Sequence, residues 1–188
     1  MRHIKTILSL CDYTGVWSQP YRDAGYNVIQ VDIEYGQDVR LLPYPDQIHG
    51  LIMQPPCTHL ASSGARWWRR KGDAALLEAL AIVDACLRFV AVSRPVWWVL
   101  ENPVGRLSRY LGPANYIFDP CDFGDPYTKR TCLWGTFTPP FPLFVGENRS
   151  VVPVEGSKMH KLPPSSDRAA LRSVTPAGFA RAFFEVNP

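Results

Sequence analysis

Apolar positions come as short unbroken runs separated by polar turns, with one long stretch at helical spacing. Residues 4–10 form an apolar run that stops at Cys11-Asp12-Tyr13-Thr14-Gly15. Ser18, Pro20 and Gly25 then mark a short helix, with serine as cap, proline in the first turn and glycine at the end. A second strand, 27–32, terminates in Asp32, so strand, turn, helix and strand fill a stretch the size of one βαβ unit. His49-Gly50-Leu51-Ile52-Met53 is predicted as a buried strand. Pro55 and Pro56 stop it, because proline offers no ladder donor and fixes its own φ. Asp73 caps a predicted long helix to about residue 92, whose apolar face includes Leu76, Leu80, Val83, Leu87 and Val90. The run 95–100 is a further buried strand ending at Glu101-Asn102-Pro103, with a helical segment at about 104–111. Beyond it, strands at 115–118 and 131–134, a rigid Pro139-Pro140-Phe141-Pro142 connector, a mobile stretch at 146–165 and a last helix at 175–185 are expected. Phe179, Phe183 and Phe184 should pack that helix on the core. The pattern predicts an α/β domain, a mostly parallel central sheet flanked by helices, with a loop-rich C-terminal third.

Composition narrows the class. With 188 residues, 46% hydrophobic and 20% charged, one globular domain with a proper core is expected. The net charge of +3 permits an anionic partner without demanding one. No apolar run is long enough to span a membrane and the N-terminus reads as a strand, so a cytoplasmic chain with no membrane partner is expected, as a monomer. Cys11, Cys57, Cys86, Cys121 and Cys132 are odd in number and lack metal-ligand spacing, which points to reduced thiols and no metal.

Candidate chemistry gathers at predicted strand ends. Cys57 follows the Pro-Pro corner, where α/β sheets place reactive groups; the plainer reading is a small buried hydrophobe. Asp32 could accept hydrogen bonds from a ribose diol beside the first turn, or be a solvated acid. That turn has one glycine, so the G-x-G-x-x-G fingerprint is absent and a nicotinamide cofactor is discounted. Asp38 and Glu101 are further strand-end acids, with helix capping as their alternative. The loop 58–71 combines small residues (Ser62, Ser63), two tryptophans (Trp67, Trp68) and four cations (Arg66, Arg69, Arg70, Lys71). Such a set can move, stack bases and neutralise phosphates, unless the rings simply pack on the sheet. His59 reads as a loop hydrogen-bonding residue.

Pro55-Pro56-Cys57 followed by Glu101-Asn102 resembles the DNA (cytosine-5) methyltransferase family. The resemblance implies a Rossmann-like fold that binds S-adenosyl-L-methionine, with a cofactor half at about 1–50, a catalytic half at about 51–135, a short loop-rich region at about 136–170 and a closing helix at about 175–186. It implies Cys57 as nucleophile towards carbon 6 of cytosine and Glu101, beside Asn102, as the acid at N3. Lys129-Arg130 is similar to the family's arginine motif, with Arg130 assigned to the ring's O2. The implied cofactor residues are Asp12, Tyr13, Gly15, Trp17, Asp32, Ile33, Asp38, Val39, Gln54, Pro55 and Thr175, with Tyr13 or Trp17 replacing the missing stacking aromatic. Ser173-Val174-Thr175-Pro176 resembles the closing motif. No separate target-recognition domain fits before the last helix, as in compact bacteriophage-borne relatives. The expected partner is therefore DNA, duplex or single-stranded, with little sequence specificity. Free nucleotide or RNA, amino-group methylation, and a degenerate binding fold remain as alternatives.

Overall fold

In a computed structural model describing residues 4–143, 151–165 and 167–188, the elements follow the apolar runs closely. In chain order they are β1 (Thr6–Leu10), α1 (Gln19–Asp23), β2 (Asn27–Val31), β3 (Gly50–Met53), α2 (Trp68–Ser93), β4 (Trp97–Pro103), α3 (Ser108–Leu111), β5 (Tyr116–Phe118), β6 (Thr131–Thr136), α4 (Lys158–Lys161), α5 (Arg168–Ser173) and α6 (Ala177–Val186). The sheet runs β2-β1-β3-β4-β6-β5. β2, β1, β3 and β4 are parallel, whereas β6 is antiparallel to β4 and to β5. The sheet is thus mixed where a mostly parallel one was expected. Strand direction is a property of the connections, which apolar periodicity does not encode.

Successive residues of the buried strands point to opposite faces. Leu8, Leu51, Met53 and Leu100 pack under α2 with Val83 and Phe89. Ile7, Ile52 and Val99 pack with Trp17, Tyr21, Phe179 and Phe183 from the α1 and α6 side. A strand buried on both faces reads as a continuous apolar run. Phe179 is fully buried, stacked on Phe118 at 3.9 Å and edge-on to Trp17 at 5.1 Å. Phe179→Ala is expected to cost ~3–5 kcal/mol of stability. A urea unfolding midpoint unchanged within error would contradict that placement.

Three local readings change. Ser18 does not cap α1; its hydroxyl donates instead to Asp12 Oδ2 at 3.0 Å and Gly15 O at 3.2 Å. A short helical stretch at 68–71 precedes the expected long helix, which runs on from Asp73 after a break at Gly72 with φ 71°. Glycine tolerates that left-handed conformation. β4 continues through Glu101, Asn102 and Pro103 because β6 pairs with all three, so these residues lie within a strand rather than after it. The stretch expected to be mobile, 146–165, lies partly outside the described residues, and its described part contains α4. Among the described residues no helix is long and apolar enough to cross a membrane.

Candidate active site at the carboxyl ends of the parallel strands

From β1 the chain goes to β2 on one side, and β3 lies on the other, so the sheet order reverses between β1 and β3. In open α/β sheets a ligand crevice lies outside the carboxyl ends at such a switch point. A cleft of about 1020 Å³ occupies that position. Segments following β1 (11–14), β2 (31–34) and β3 (54–58) line it, together with Glu101 and Pro103 of β4. Its volume is at the upper limit of the ~300–1,000 Å³ range of small-molecule sites.

The first turn is knitted by Asp12. This carboxylate is buried and accepts from Ser9 Oγ (2.7 Å), Ser18 Oγ (3.0 Å) and the Gly15 amide (2.8 Å). Its charge is spent on the turn, and Gly15 takes part in the same knot. Asp12 reaches the cleft wall, whereas Gly15 does not border it. Trp17 is also displaced from its expected role. It is fully buried between Phe179 and Phe183, where no ligand ring can reach it. Tyr13, 44% exposed, and Ile33, 63% exposed, are the aromatic and apolar surfaces on this part of the wall.

Asp32 stands at the end of β2 with Oδ1 accepting from the Glu34 amide at 3.0 Å. Burial pushes its carboxyl up, opposed by the hydrogen bond from Glu34 and increased by the neighbouring Glu34 and Asp12 charges. Asp38 is held by Arg40, whose Nε lies 2.9 and 3.0 Å from its two oxygens and whose Nη2 lies 2.6 Å away. These bonds lower Asp38 to about 2 and keep it ionised. Val39 beside it is buried in the α2-side core. Gln54 is oriented by Thr175, whose hydroxyl donates to Oε1 at 2.8 Å, while the buried Nε2 donor has no partner among the described residues. Thr175 itself is buried and does not border the cleft; its hydroxyl meets Gln54, which does.

Cys57 is presented by a corner that β4 fastens. Asn102 Nδ2 donates to Pro55 O at 2.9 Å, making buried Asn102 a positioning residue rather than a cleft-lining one. Cys57 and Glu101 both face the cleft and remain half-buried. Burial pushes the Cys57 thiol up, the Glu101 carboxylate adds to the push, and Lys129 and Arg172 oppose it. Burial likewise raises Glu101, against the pull of Lys129. Of the two expected cations, Lys129 borders the cleft, whereas Arg130 is exposed outside it. The extended chain before β6 sends neighbouring side chains in opposite directions, so only one can face the thiol.

The loop after Cys57 is laced to the end of β4. Arg106 donates from its amide to Leu60 O (2.9 Å) and from Nε to His59 O (2.7 Å), and the Ser62 amide donates to Val104 O (2.9 Å). Ala61 bridges Gly105, where any Cβ would collide with Leu60 O. This fixed base contrasts with the movable loop expected. Beyond it Ser62, Ser63, Arg66, Trp67, Arg69, Arg70 and Lys71 are exposed. Trp67 lies between the Arg66 and Arg70 guanidinium groups at 5.0 and 4.4 Å, and Trp68 is half-buried against Arg106 at 4.7 Å. Only Ser63, Arg66 and Trp67 of these eight nucleic-acid candidates line the cleft.

The sequence reading missed Arg168 and Arg172, which line the cleft from α5, and Glu78 from α2. The spacing of the two arginines, four residues within a short helix, was the available signal.

A solved structure shares this architecture. It is a prophage-encoded protein of E. coli designated as a candidate DNA modification methyltransferase, with TM-score 0.53 and 17% sequence identity. The match covers 86% of this chain and 56% of that one, so this chain spans little more than half the length of its neighbour. No family model matches the chain, and no curated protein matches it. At this identity the likeness concerns the fold alone.

Proposed function

We propose that this protein transfers a methyl group from S-adenosyl-L-methionine to carbon 5 of cytosine in DNA, through a transient covalent bond to Cys57. The observation that carries the reading is the meeting of a cysteine and a desolvated carboxyl in one cleft, at the switch point of a sheet shared with a candidate DNA modification methyltransferase.

The cleft's donor set fits the cofactor. Asp32 offers a carboxylate to a ribose diol, ionised Asp38 an acceptor to an exocyclic amine, and the unpartnered Gln54 Nε2 a donor to an anion or carbonyl. Tyr13 and Ile33 supply surfaces for an adenine ring. The bound cofactor would supply an electrophilic methyl group on a sulfonium.

The remaining work falls to side chains of this chain. Carbon 5 of cytosine is a poor nucleophile until a thiolate adds to carbon 6, which turns the ring enamine-like. Cys57 is the group for that addition. Electron density pushed into the ring collects at N3, where Glu101, raised by burial, can hold the proton. Lys129 faces the same space and stabilises negative charge on either partner. After methylation, a base or water takes the carbon 5 proton, the electrons of that bond restore the carbon 5–carbon 6 double bond, and the carbon 6–sulfur bond breaks with its pair leaving on the Cys57 thiolate.

The decisive experiment digests DNA treated with the protein and labelled cofactor, and resolves its nucleosides by mass spectrometry. Label in 5-methylcytosine is expected. Label confined to N-methylated bases, or transfer to none, would overturn the proposal.

A further inference from the structure

The α5 wall carries charge that this chemistry leaves unused. Arg168 and Arg172 are four residues apart, share a helix face and both border the cleft. Like charges at that spacing oppose helix formation, so an anion between them would relieve the repulsion. Arg168 Nε is buried with no hydrogen-bond partner among the described residues. Arg172 Nη2 donates to Ser63 Oγ at 3.2 Å, reaching across to the loop that follows Cys57.

Position along the cleft indicates which anion fits. The charges acting on Asp32 are those of Glu34 and Asp12, whereas Arg172 acts on Cys57. Arg172, bonded to Ser63 and acting on Cys57, therefore lies at the thiol end, with Arg168 about one helical turn away on the same face. Ser63 also begins a cationic strip, Arg66, Trp67 and Arg70, that leads out of the cleft. A single carboxylate needs no such continuation; a chain of phosphates does.

We propose that Arg168, Arg172 and Ser63 form the binding site for the phosphate attached to the target cytidine. The assignment rests on the cytosine reading of Cys57 and adds the feature of the substrate that the protein grips.

The test measures binding rather than methylation. Wild-type protein and the Arg168→Gln and Arg172→Gln variants are titrated against a short labelled single-stranded oligodeoxynucleotide at several salt concentrations. S-adenosylhomocysteine binding, by calorimetry, serves as the control for a folded cleft. Each variant should bind the strand about 10-fold more weakly, with the slope of log affinity against log salt shallower by about 0.7 per arginine. Affinity for S-adenosylhomocysteine should not change. Competition by dCMP and by deoxycytidine distinguishes the phosphate's source. In wild type dCMP should win over deoxycytidine, and the strand over dCMP; dCMP matching the strand would identify a free nucleotide as the phosphate's source. Unchanged slopes, or no strand binding by wild type even at low salt, would overturn the site. A parallel fall in S-adenosylhomocysteine affinity would also overturn it, because the arginines would then hold the cofactor's carboxylate. If wild type binds in this arginine-dependent way yet transfers no methyl group, the phosphate site stands and the Cys57 chemistry falls.

Discussion

Cys57→Ser should lower methyl transfer by at least about 10⁴-fold, as loss of a covalent nucleophile does. The substitution is nearly isosteric, and the Pro55–Asn102 contact that holds the corner is made by backbone and asparagine rather than by sulfur. S-adenosylhomocysteine binding should therefore stay within about twofold, since uniform binding and the chemical step are separable. A hydroxyl in this partly desolvated position cannot ionise near neutrality, so it offers no substitute nucleophile. A trapping experiment sharpens the test. DNA containing 5-fluorocytosine has no carbon 5 proton to lose, so it should remain attached to the wild-type protein through Cys57. It should leave the serine variant free. Substantial transfer by the variant, or a trapped adduct on another cysteine, would remove Cys57 from the mechanism.

Glu101→Gln should slow methyl transfer by about 10²–10⁴-fold, the range typical of a lost acid–base group. The same change should make the thiol easier to ionise. Burial is the main cause of the raised Cys57 thiol and the Glu101 carboxylate the next, so removing that negative charge leaves Lys129 and Arg172 less opposed. The sign is fixed: a nearby anion disfavours the thiolate, and its neutral replacement lowers the pKa. Alkylation of Cys57 by iodoacetamide, followed by peptide mass spectrometry across pH, should reach half its limiting rate at lower pH in Glu101→Gln. Cys86, Cys121 and Cys132 are buried and serve as slow internal references. A more reactive thiol with less methyl transfer is a crossed result that general damage to the site would not produce. An unshifted alkylation profile would contradict the placement of a charged Glu101 carboxylate close enough to act on the sulfur.

Much of this arrangement is written in local sequence. The apolar runs of β1, β3 and β4 are legible because strands buried on both faces have no polar alternation to obscure them. Pro55 and Pro56 announce a stop whatever surrounds them. Asp32 follows its strand directly, so the side of the sheet on which it emerges is settled once the neighbouring strands are parallel.

Other roles depend on contacts that no local pattern contains. Trp17 is an aromatic beside the first turn, and only the docking of α6 decides that its ring fills the core. Asp12 has the chemistry of a ligand-binding acid, but Ser9, Ser18 and Gly15 take up its carboxylate. Lys129 and Arg130 are equivalent as a charged dipeptide; the direction in which the extended chain turns each side chain separates them. Arg172 reaches Ser63 across 109 positions of sequence. Residue type and strand-end position thus determined which groups could do chemistry in this protein. Tertiary packing decided which were already spent on holding the fold and which were left facing the cleft, because burial and hydrogen-bond saturation belong to the folded surroundings and not to the residue.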